Sequence, residues 1–366
     1  MITTVHQISK YGPIFKGGIE TEAENIKHVL LEQGYFVNML YFSSKSDTPK
    51  VTQSSNLVER VCRTQFKIFN QPVSMQYIVE ILKIKTRDIV HLHLPNYVAM
   101  IACCLLPADT KIIVHWHSDV IDHRLLRLLL YPAEKILLKR ANKILCTSQE
   151  YANHSSSLKD YLNKVEILPI ASECVAKIKN RSIRYNEDLK ILNVGRLVKY
   201  KNQRFLVEVI KLLPTRYKLE IVGSGKLKNN ILDKIDSAGL SARIKISSGL
   251  TKKQLHKKYL DSDVFALSSN SRAEAYGVVL VEALSFSLPI VSLKIMGSGV
   301  SFVNKDGFSG LHSAIDCPLG MAVKIMRVTK DDKSYRDFST NAMDHYSSHF
   351  TPELHQAIVA RIYEGL

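Results

Sequence analysis

Residues 264–292 read VFALSSNSRAEAYGVVLVEALSFSLPIVS. An apolar run, Val264–Ser268, gives way to a polar loop at Ser269–Arg272. A helix-period segment follows at Val278–Phe286, and a second apolar run comes at Pro289–Ser292. Strand, loop, helix and strand in one short stretch are the pattern of a parallel β-α-β unit, because parallel strands need a crossover long enough to hold a helix. The alternation continues upstream. Leu189–Val194, Tyr217–Val222 and Ile244–Ser247 are strand candidates, and Asn202–Leu213, Lys228–Ala238 and Lys252–Leu260 are helical. An earlier series runs Thr3–Ser9, Phe36–Phe42, Asp88–His93, Lys111–His115, Lys143–Thr147 and Lys164–Leu168, with helices that include Glu20–Gln33 and Arg124–Lys139. Such alternation predicts parallel sheets covered by helices on both faces. Two series in 366 residues predict two doubly wound, Rossmann-like α/β domains facing each other across a cleft, one over 1–170 and one over 171–345. The boundary is expected in the polar, basic stretch Ile170–Asp188. The tail, 346–366, is expected to form a helix, since Leu354, Ile358 and Ile362 share a helical face, and it is expected to return to the first domain.

With 46% apolar and 23% charged residues, the chain is neither disordered, fibrous nor membrane-spanning in composition. Its longest apolar stretch, Tyr97–Ala108, falls short of the ~20 residues a span requires. The N-terminus lacks the charged-then-apolar pattern of a secretory leader, so a cytoplasmic location is expected. The formal charge of +16 is shared by both halves of the chain and favours polyanions: nucleic acid, phosphorylated small molecules or an anionic membrane face. The six cysteines show no metal-ligand spacing and read as buried free thiols in a reducing compartment.

Doubly wound sheets bind ligands beyond the carboxyl ends of their strands, so chemistry is sought there. Gly17-Gly18 follows the first strand and precedes a helix. Glycines there let backbone approach a ligand, and amides at a helix start favour anions. The full G-x-G-x-x-G fingerprint of a dinucleotide site is absent. Gly195-Arg196 ends the first strand of the second series and Lys201 follows; two cations at a strand end suit a diphosphate. Gly223-Ser224-Gly225 reads equally as a tight turn. In Glu274-Ala275-Tyr276-Gly277-Val278-Val279-Leu280-Val281-Glu282, the amides near Gly277 and Val278 open a helix and can hold phosphate. Glu274 stands at the mouth, where it can accept hydrogen bonds from a sugar. Glu282 lies about two turns in, among apolar neighbours, where a carboxylate needs partners and can accept from ribose hydroxyls. The bland reading is a capping carboxylate and a surface glutamate. Asp261-Ser262-Asp263 spells the D-x-D of metal-dependent transferases, but it sits between a helix and a strand start and is set aside, so no metal site is assigned.

In these marks, together with His115-Trp116-His117-Ser118-Asp119 and the Glu274/Glu282 pair, the chain resembles a glycosyltransferase of family four with the GT-B fold, over nearly its whole length. The resemblance implies that Arg196 and Lys201 bind the donor diphosphate. It implies that Glu282 holds the nucleotide ribose and that Glu274 contacts the donor sugar. The amides of Gly18, Gly277 and Val278 would face sugar and phosphate, with His117 near the reacting carbon. It also implies transfer with retained anomeric configuration, in which the leaving phosphate helps to deprotonate the acceptor. Pro169-Ile170-Ala171 departs from the family's Pro-x-Gly turn, and Asn202 stands where glycine is common. His93 could line the acceptor site or be satisfied by its neighbours. His91 and His115 are expected, by strand alternation, to point away from His93 and His117.

Arg124–Lys143 interleaves leucines with Arg124, Arg127, Lys135, Lys139, Arg140 and Lys143, and Val58–Phe69 shows a similar mixture. Each reads either as a helix with a solvated basic face or as a basic amphipathic segment on an anionic bilayer. With a family that often uses lipid-linked acceptors, peripheral contact on the inner membrane face is expected. The stretches around His91–Asn96 and His115–Asp119 look like those of transferases building bacterial O-antigen and other surface polysaccharides, which makes GDP-mannose the leading donor and a lipid-linked saccharide the acceptor. A UDP-sugar donor, a sugar-nucleotide epimerase, an inactive GT-B scaffold and a nucleic-acid-binding protein remain alternatives. Against the last stands the dispersal of the basic residues without a recognition motif.

Overall fold

The computed structural model describes residues 3–12, 17–43, 50–68, 71–119, 124–173, 181–183 and 187–366. The chain divides into two compact units: Met1–Ile170 together with Glu353–Leu366, and Ala171–Pro352. Of the boundary stretch 170–188, residues 174–180 and 184–186 lie outside the described residues.

The first unit contains β1 (Thr4–Tyr11), α1 (Gly18–Glu32), β2 (Phe36–Phe42), β3 (Lys50–Gln53), β4 (Leu57–Cys62), β5 (Phe66–Ile68), β6 (Gln71–Val73), α2 (Met75–Leu82), β7 (Ile89–Leu94), α3 (Tyr97–Cys104), β8 (Lys111–Trp116), α4 (Arg124–Arg140), β9 (Lys143–Cys146), α5 (Gln149–His154) and β10 (Val165–Ile167). Its main sheet has the order β10-β9-β8-β7-β1-β2-β4-β3. Neighbours run parallel except β3, which closes the edge antiparallel to β4. The central strands β7 and β8, IVHLHL and KIIVHW, are buried along nearly their whole length, as strands covered on both faces must be. The segment 58–69, considered for a bilayer, is not helical. Residues 58–62 lie in β4 and 66–68 in β5, while Phe69 lies outside the described residues. Pairing of Val58–Cys62 with Asn38–Phe42 of β2 sets a strand period there.

The second unit contains β11 (Leu189–Val194), α6 (Gln203–Leu212), β12 (Tyr217–Val222), α7 (Lys228–Ser237), β13 (Ile244–Ser247), α8 (Lys252–Leu260), β14 (Val264–Leu267), α9 (Val278–Ser285), β15 (Ile290–Leu293), α10 (Val300–Val303), β16 (Gly310–Ser313), α11 (Pro318–Val328) and α12 (Asp332–His349). Its sheet is wholly parallel, in the order β13-β12-β11-β14-β15-β16. This is a doubly wound order that reverses between β11 and β14, so the loops leaving those two strands flank the ligand crevice such sheets provide. Ile191, Leu206, Ile210, Leu219, Ile231 and Val264 are buried in one core cluster beneath them. The short strand β16 escaped the sequence reading. It is specified by burial at all four positions and by Gly310, where a Cβ would lie 2.0 Å from the Ile290 carbonyl oxygen.

Helix α12 runs unbroken to His349, past the position 345 taken as the end of the second domain. The chain rejoins the first unit through α13 (Pro352–Glu364), whose Val359, Ile362 and Tyr363 are buried in a core cluster with Ile26, Leu30 and Val37. His355 Nε2 meets Glu22 Oε1 of α1 at 2.7 Å, both side chains nearly fully buried. Among the described residues no helix is long and apolar enough to cross a membrane. Cys62, Cys103, Cys104, Cys146 and Cys317 are free, and burial pushes the Cys62 thiol up to about 12; Cys174 lies outside the described residues.

Candidate functional site

The turn after β11 carries Gly195 and Arg196, then a single turn of 3-10 helix, Lys199–Lys201, then Asn202 with φ 50° and ψ 41°. That left-handed conformation favours glycine and is tolerated by asparagine better than by most residues, so the departure at 202 leaves the turn intact. The turn directs Lys201 inward. Its Nζ lies 2.5 Å from Glu274 Oε2, and the Ser269 hydroxyl donates to the same oxygen at 2.6 Å. Ser268 Oγ donates to the Lys201 carbonyl at 2.7 Å, and Ser298 Oγ to the Glu274 carbonyl at 2.5 Å. Lys201 and Glu274 are buried, so each charge depends on the other to offset its desolvation. Arg196, one turn earlier, is exposed, with a guanidinium nitrogen 3.3 Å from the Tyr200 hydroxyl. The two loops at the switch point thus hold one cation locked and present a second to solvent.

Helix α9 begins beside them. Gly277, at φ 85° and ψ 61°, is its N-cap and has no side chain to bond the first-turn amides, so Val278 and Val279 open the helix without a side-chain cap. A helix start of this kind attracts anions. Glu282 follows in the second turn. It is half-buried and accepts a 2.6 Å hydrogen bond from the hydroxyl of Tyr259 in α8. Burial raises the Glu282 carboxyl above its ordinary value, against the bond from Tyr259 and the charge of Lys252. Tyr259 is itself fully buried, stacked on Phe286 at 5.3 Å. The partner that a carboxylate among apolar neighbours requires is therefore Tyr259, which sequence spacing does not identify. The available signal was an aromatic residue ending the otherwise basic segment KKQLHKKYL.

Gly223-Ser224-Gly225 serves packing. A Cβ at Gly223 would lie 1.9 Å from the Gly195 carbonyl oxygen, and the Leu197 amide donates to the Ser224 carbonyl at 2.8 Å, so this turn supports the Gly195–Leu197 turn. Asp261-Ser262-Asp263 lies between α8 and β14, at the amino end of the strand, away from the crevice edge. Asp263 Oδ2 accepts from the Lys190 amide at 2.7 Å, a structural use of that carboxylate.

In the first unit, Gly17 is the N-cap of α1 and Gly18 its first residue, again with no side-chain cap; the preceding residues 13–16 lie outside the described ones. His117 follows β8 and is buried. The expected divergence of the histidines is corrected. His91, His93, His115 and His117 lie together, with rings stacked at 4.7 Å for His91 and His93 and 4.0 Å for His115 and His117. Strand side chains alternate with period two, so residues two apart share a face, and register places His93 opposite His115. His93 is buried with both ring nitrogens engaged: Nδ1 with His117 Nε2 at 3.0 Å and Nε2 with Gln7 Oε1 at 3.0 Å. It is satisfied by its neighbours. His91 bonds the Tyr363 hydroxyl at 2.6 Å and His115 at 3.2 Å. Burial drives the imidazoles of His91, His115 and His117 well below their ordinary value and His93 to about 3, so all are neutral near pH 7. His91, His93 and His115 each have a nitrogen within 4.8 Å of the others. The ring nitrogens of His93 are engaged by His117 and Gln7 and those of His91 by Tyr363 and His115, so the group is held together by its own hydrogen bonds.

Residues 16–170 match the family described as Glycosyltransferase Family 4, and residues 175–345 match Glycosyl transferases group 1. The chain is 24% identical over 357 residues to O-antigen chain mannosyltransferase C of Escherichia coli, covering 95% of this chain and 94% of that one. It is 24% identical over 347 residues to D-rhamnosyltransferase WbpZ of Pseudomonas aeruginosa, covering 92% and 88%. Among solved structures, sucrose-phosphate synthase of Thermosynechococcus elongatus superposes with a TM-score of 0.77 at 16% identity, covering 99% of this chain and 98% of that one. Anabaena Alr3699/HepE in complex with UDP and glucose superposes with a TM-score of 0.77 at 13% identity over the full length of both. Two doubly wound units, matched end to end by these families and folds, place the chain among the GT-B glycosyltransferases, family 4 in its N-terminal part and group 1 in its C-terminal part.

Proposed function

We propose that the protein is a retaining hexosyltransferase that moves mannose from GDP-mannose to a lipid-linked or growing surface-glycan acceptor without a metal ion. The observation that carries this reading is the buried Lys201–Glu274 pair at the β11/β14 switch point, with Arg196 in the same turn. In the reaction the bond from the anomeric carbon to the diphosphate oxygen breaks, and negative charge grows on the leaving group. Arg196, Lys201 and the uncapped amides at Gly277 and Val278 stabilise that charge, the task otherwise given to a divalent cation. The acceptor oxygen bonds to the same face of the sugar, and its proton passes to the leaving phosphate. Glu274 binds the donor sugar and Glu282 the ribose, while His117 and the Gly17-Gly18 amides serve the sugar and phosphate. The mannosyl term follows a relative named above, an O-antigen chain mannosyltransferase; the lipid-linked term follows the family resemblance.

Membrane contact has its own support. Helix α3 packs against both α2 and α4, and this trio exposes Leu82, Leu105, Leu128, Leu129 and Ile136, with Lys83 and Lys139 also exposed. Exposed leucines on packed helices that also expose lysines suit an anionic bilayer surface without a span.

The test is a thermal-shift and transfer panel of nucleotide sugars. Stabilisation by GDP and GDP-mannose, and an α- or β-linkage matching the donor's own in the NMR spectrum of the product, are expected. Stabilisation by UDP alone sinks the mannosyl reading, and an inverted linkage sinks the retaining one. Glu282→Ala is expected to weaken nucleotide binding, and Glu274→Ala to lower turnover more than affinity; full transfer by both variants would overturn the site.

A further inference from the structure

The buried histidines contain a directed chain that the transfer chemistry has not used. Gln7 Oε1, on β1, lies 3.0 Å from His93 Nε2; His93 Nδ1 lies 3.0 Å from His117 Nε2. A neutral imidazole has one N–H and one lone pair, so each ring must donate at one nitrogen and accept at the other. A carbonyl oxygen can only accept. If Gln7 Oε1 faces His93, then His93 carries its proton on Nε2 and accepts at Nδ1. His117 must then carry its proton on Nε2, and its Nδ1 is left with the lone pair. No described residue bonds that nitrogen.

From this geometry we infer that Gln7, acting through His93, is a positioning residue that holds His117 in a single neutral tautomer, with Nδ1 presented as a hydrogen-bond acceptor for a ligand hydroxyl. The inference rests on the reading that His117 belongs to the transfer site. Two features support it. Burial keeps every member neutral, so the chain is not scrambled by protonation at ordinary pH. The His93 and His117 rings lie 12° from parallel with centroids 5.3 Å apart, which fixes their orientation. Gln7 Nε2 is buried with no partner, an unpaired donor that the opposite amide orientation would exchange for an unpaired carbonyl oxygen, so the orientation of this one amide is what the tautomer of His117 reads out. Turned over, that amide would donate to His93, reverse both rings and make His117 Nδ1 a donor, suited to a phosphate or carboxylate oxygen instead. One amide thus decides which class of ligand group His117 can recognise.

The experiment is a two-bond proton–nitrogen correlation spectrum of the full-length protein labelled with 15N-histidine, near pH 7.5, with His117 assigned through His117→Asn. Expected is an unprotonated Nδ1 and a protonated Nε2 for His117 in the wild type. Gln7→Met, which removes the acceptor, and His93→Phe, which removes the relay, are expected to give a mixture of the two tautomers. Turnover in Gln7→Met should fall about fivefold, the worth of one misdirected hydrogen bond, with nucleotide affinity unchanged. A protonated Nδ1 in the wild type overturns the inference without reference to any variant. So does an unaltered tautomer in Gln7→Met. If the tautomer shifts as expected while transfer stays intact in Gln7→Met and in His117→Asn, the relay stands and the assignment of His117 to the transfer site fails.

Discussion

Lys201 and Glu274 show how much a residue's meaning depends on its partner. Each was legible in the sequence as a separate group near a strand end; their 2.5 Å ion pair was not, because it joins loops far apart in the chain. Breaking a buried pair from one side leaves an uncompensated charge at a cost of about 3–5 kcal/mol. Lys201→Met should therefore destabilise the protein by about that amount in denaturant titration, and adding Glu274→Gln should restore most of it. Destabilisation of the double variant equal to or beyond that of Lys201→Met would contradict the pairing. Glu282 makes the opposite prediction. Its carboxyl is raised by burial, so the folded state binds its proton more tightly than the unfolded chain does. The resulting penalty is absent below the ordinary carboxylate range and grows as pH rises through the raised value. Glu282→Gln, which keeps an acceptor for Tyr259, should be more stable than wild type at about pH 8 and equal to it at about pH 4. A stabilised variant that binds nucleotide poorly would mark a carboxylate kept for function at the expense of stability.

Among the elements, α13 and α4 carry the contrast. The apolar face of the tail helix was readable from spacing, yet its buried His355–Glu22 contact with α1 was not. Burial lowers the His355 imidazole, but the Glu22 charge and hydrogen bond more than offset this, so its pKa is raised in the folded state. Its contribution is fully present below the ordinary histidine pKa and is lost as pH rises through the raised one. The stability advantage of wild type over His355→Gln should accordingly be larger at about pH 5.5 than at about pH 9, measured by urea unfolding; an advantage that does not change with pH would exclude a charged His355. In α4 the basic stripe counted for the membrane is partly spent on the fold. Arg140 donates to the carbonyls of Cys104 at 2.9 Å and Pro107 at 2.7 Å, satisfying the end of α3, and Lys143 beyond the helix pairs with Glu166 at 2.6 Å. Leu128 and Leu129 are the most exposed apolar side chains described in the segment.

For the molecule as a whole, those leucines give the decisive measurement on membranes. Wild type should co-sediment with vesicles containing anionic phosphatidylglycerol, weaken as salt rises, and lose most binding in Leu128→Glu/Leu129→Glu with unchanged thermal stability. Binding that survives the double substitution would move the contact elsewhere. The sequence by itself determined that this is an α/β protein of two doubly wound units, because the period of apolar residues is a local property that any window of the chain displays. It also located Arg196, Lys201, Glu274, Gly277 and Glu282 at strand ends and a helix start, since those follow from where strands stop. Contact across the chain was beyond it. That Glu274 neutralises Lys201, that Tyr259 serves Glu282, and that four histidines form one stack with Gln7 at its end were decided only by the tertiary structure. Side chains distant in sequence meet according to sheet order and register, and a hydrogen bond requires about 3 Å of approach that no linear pattern records.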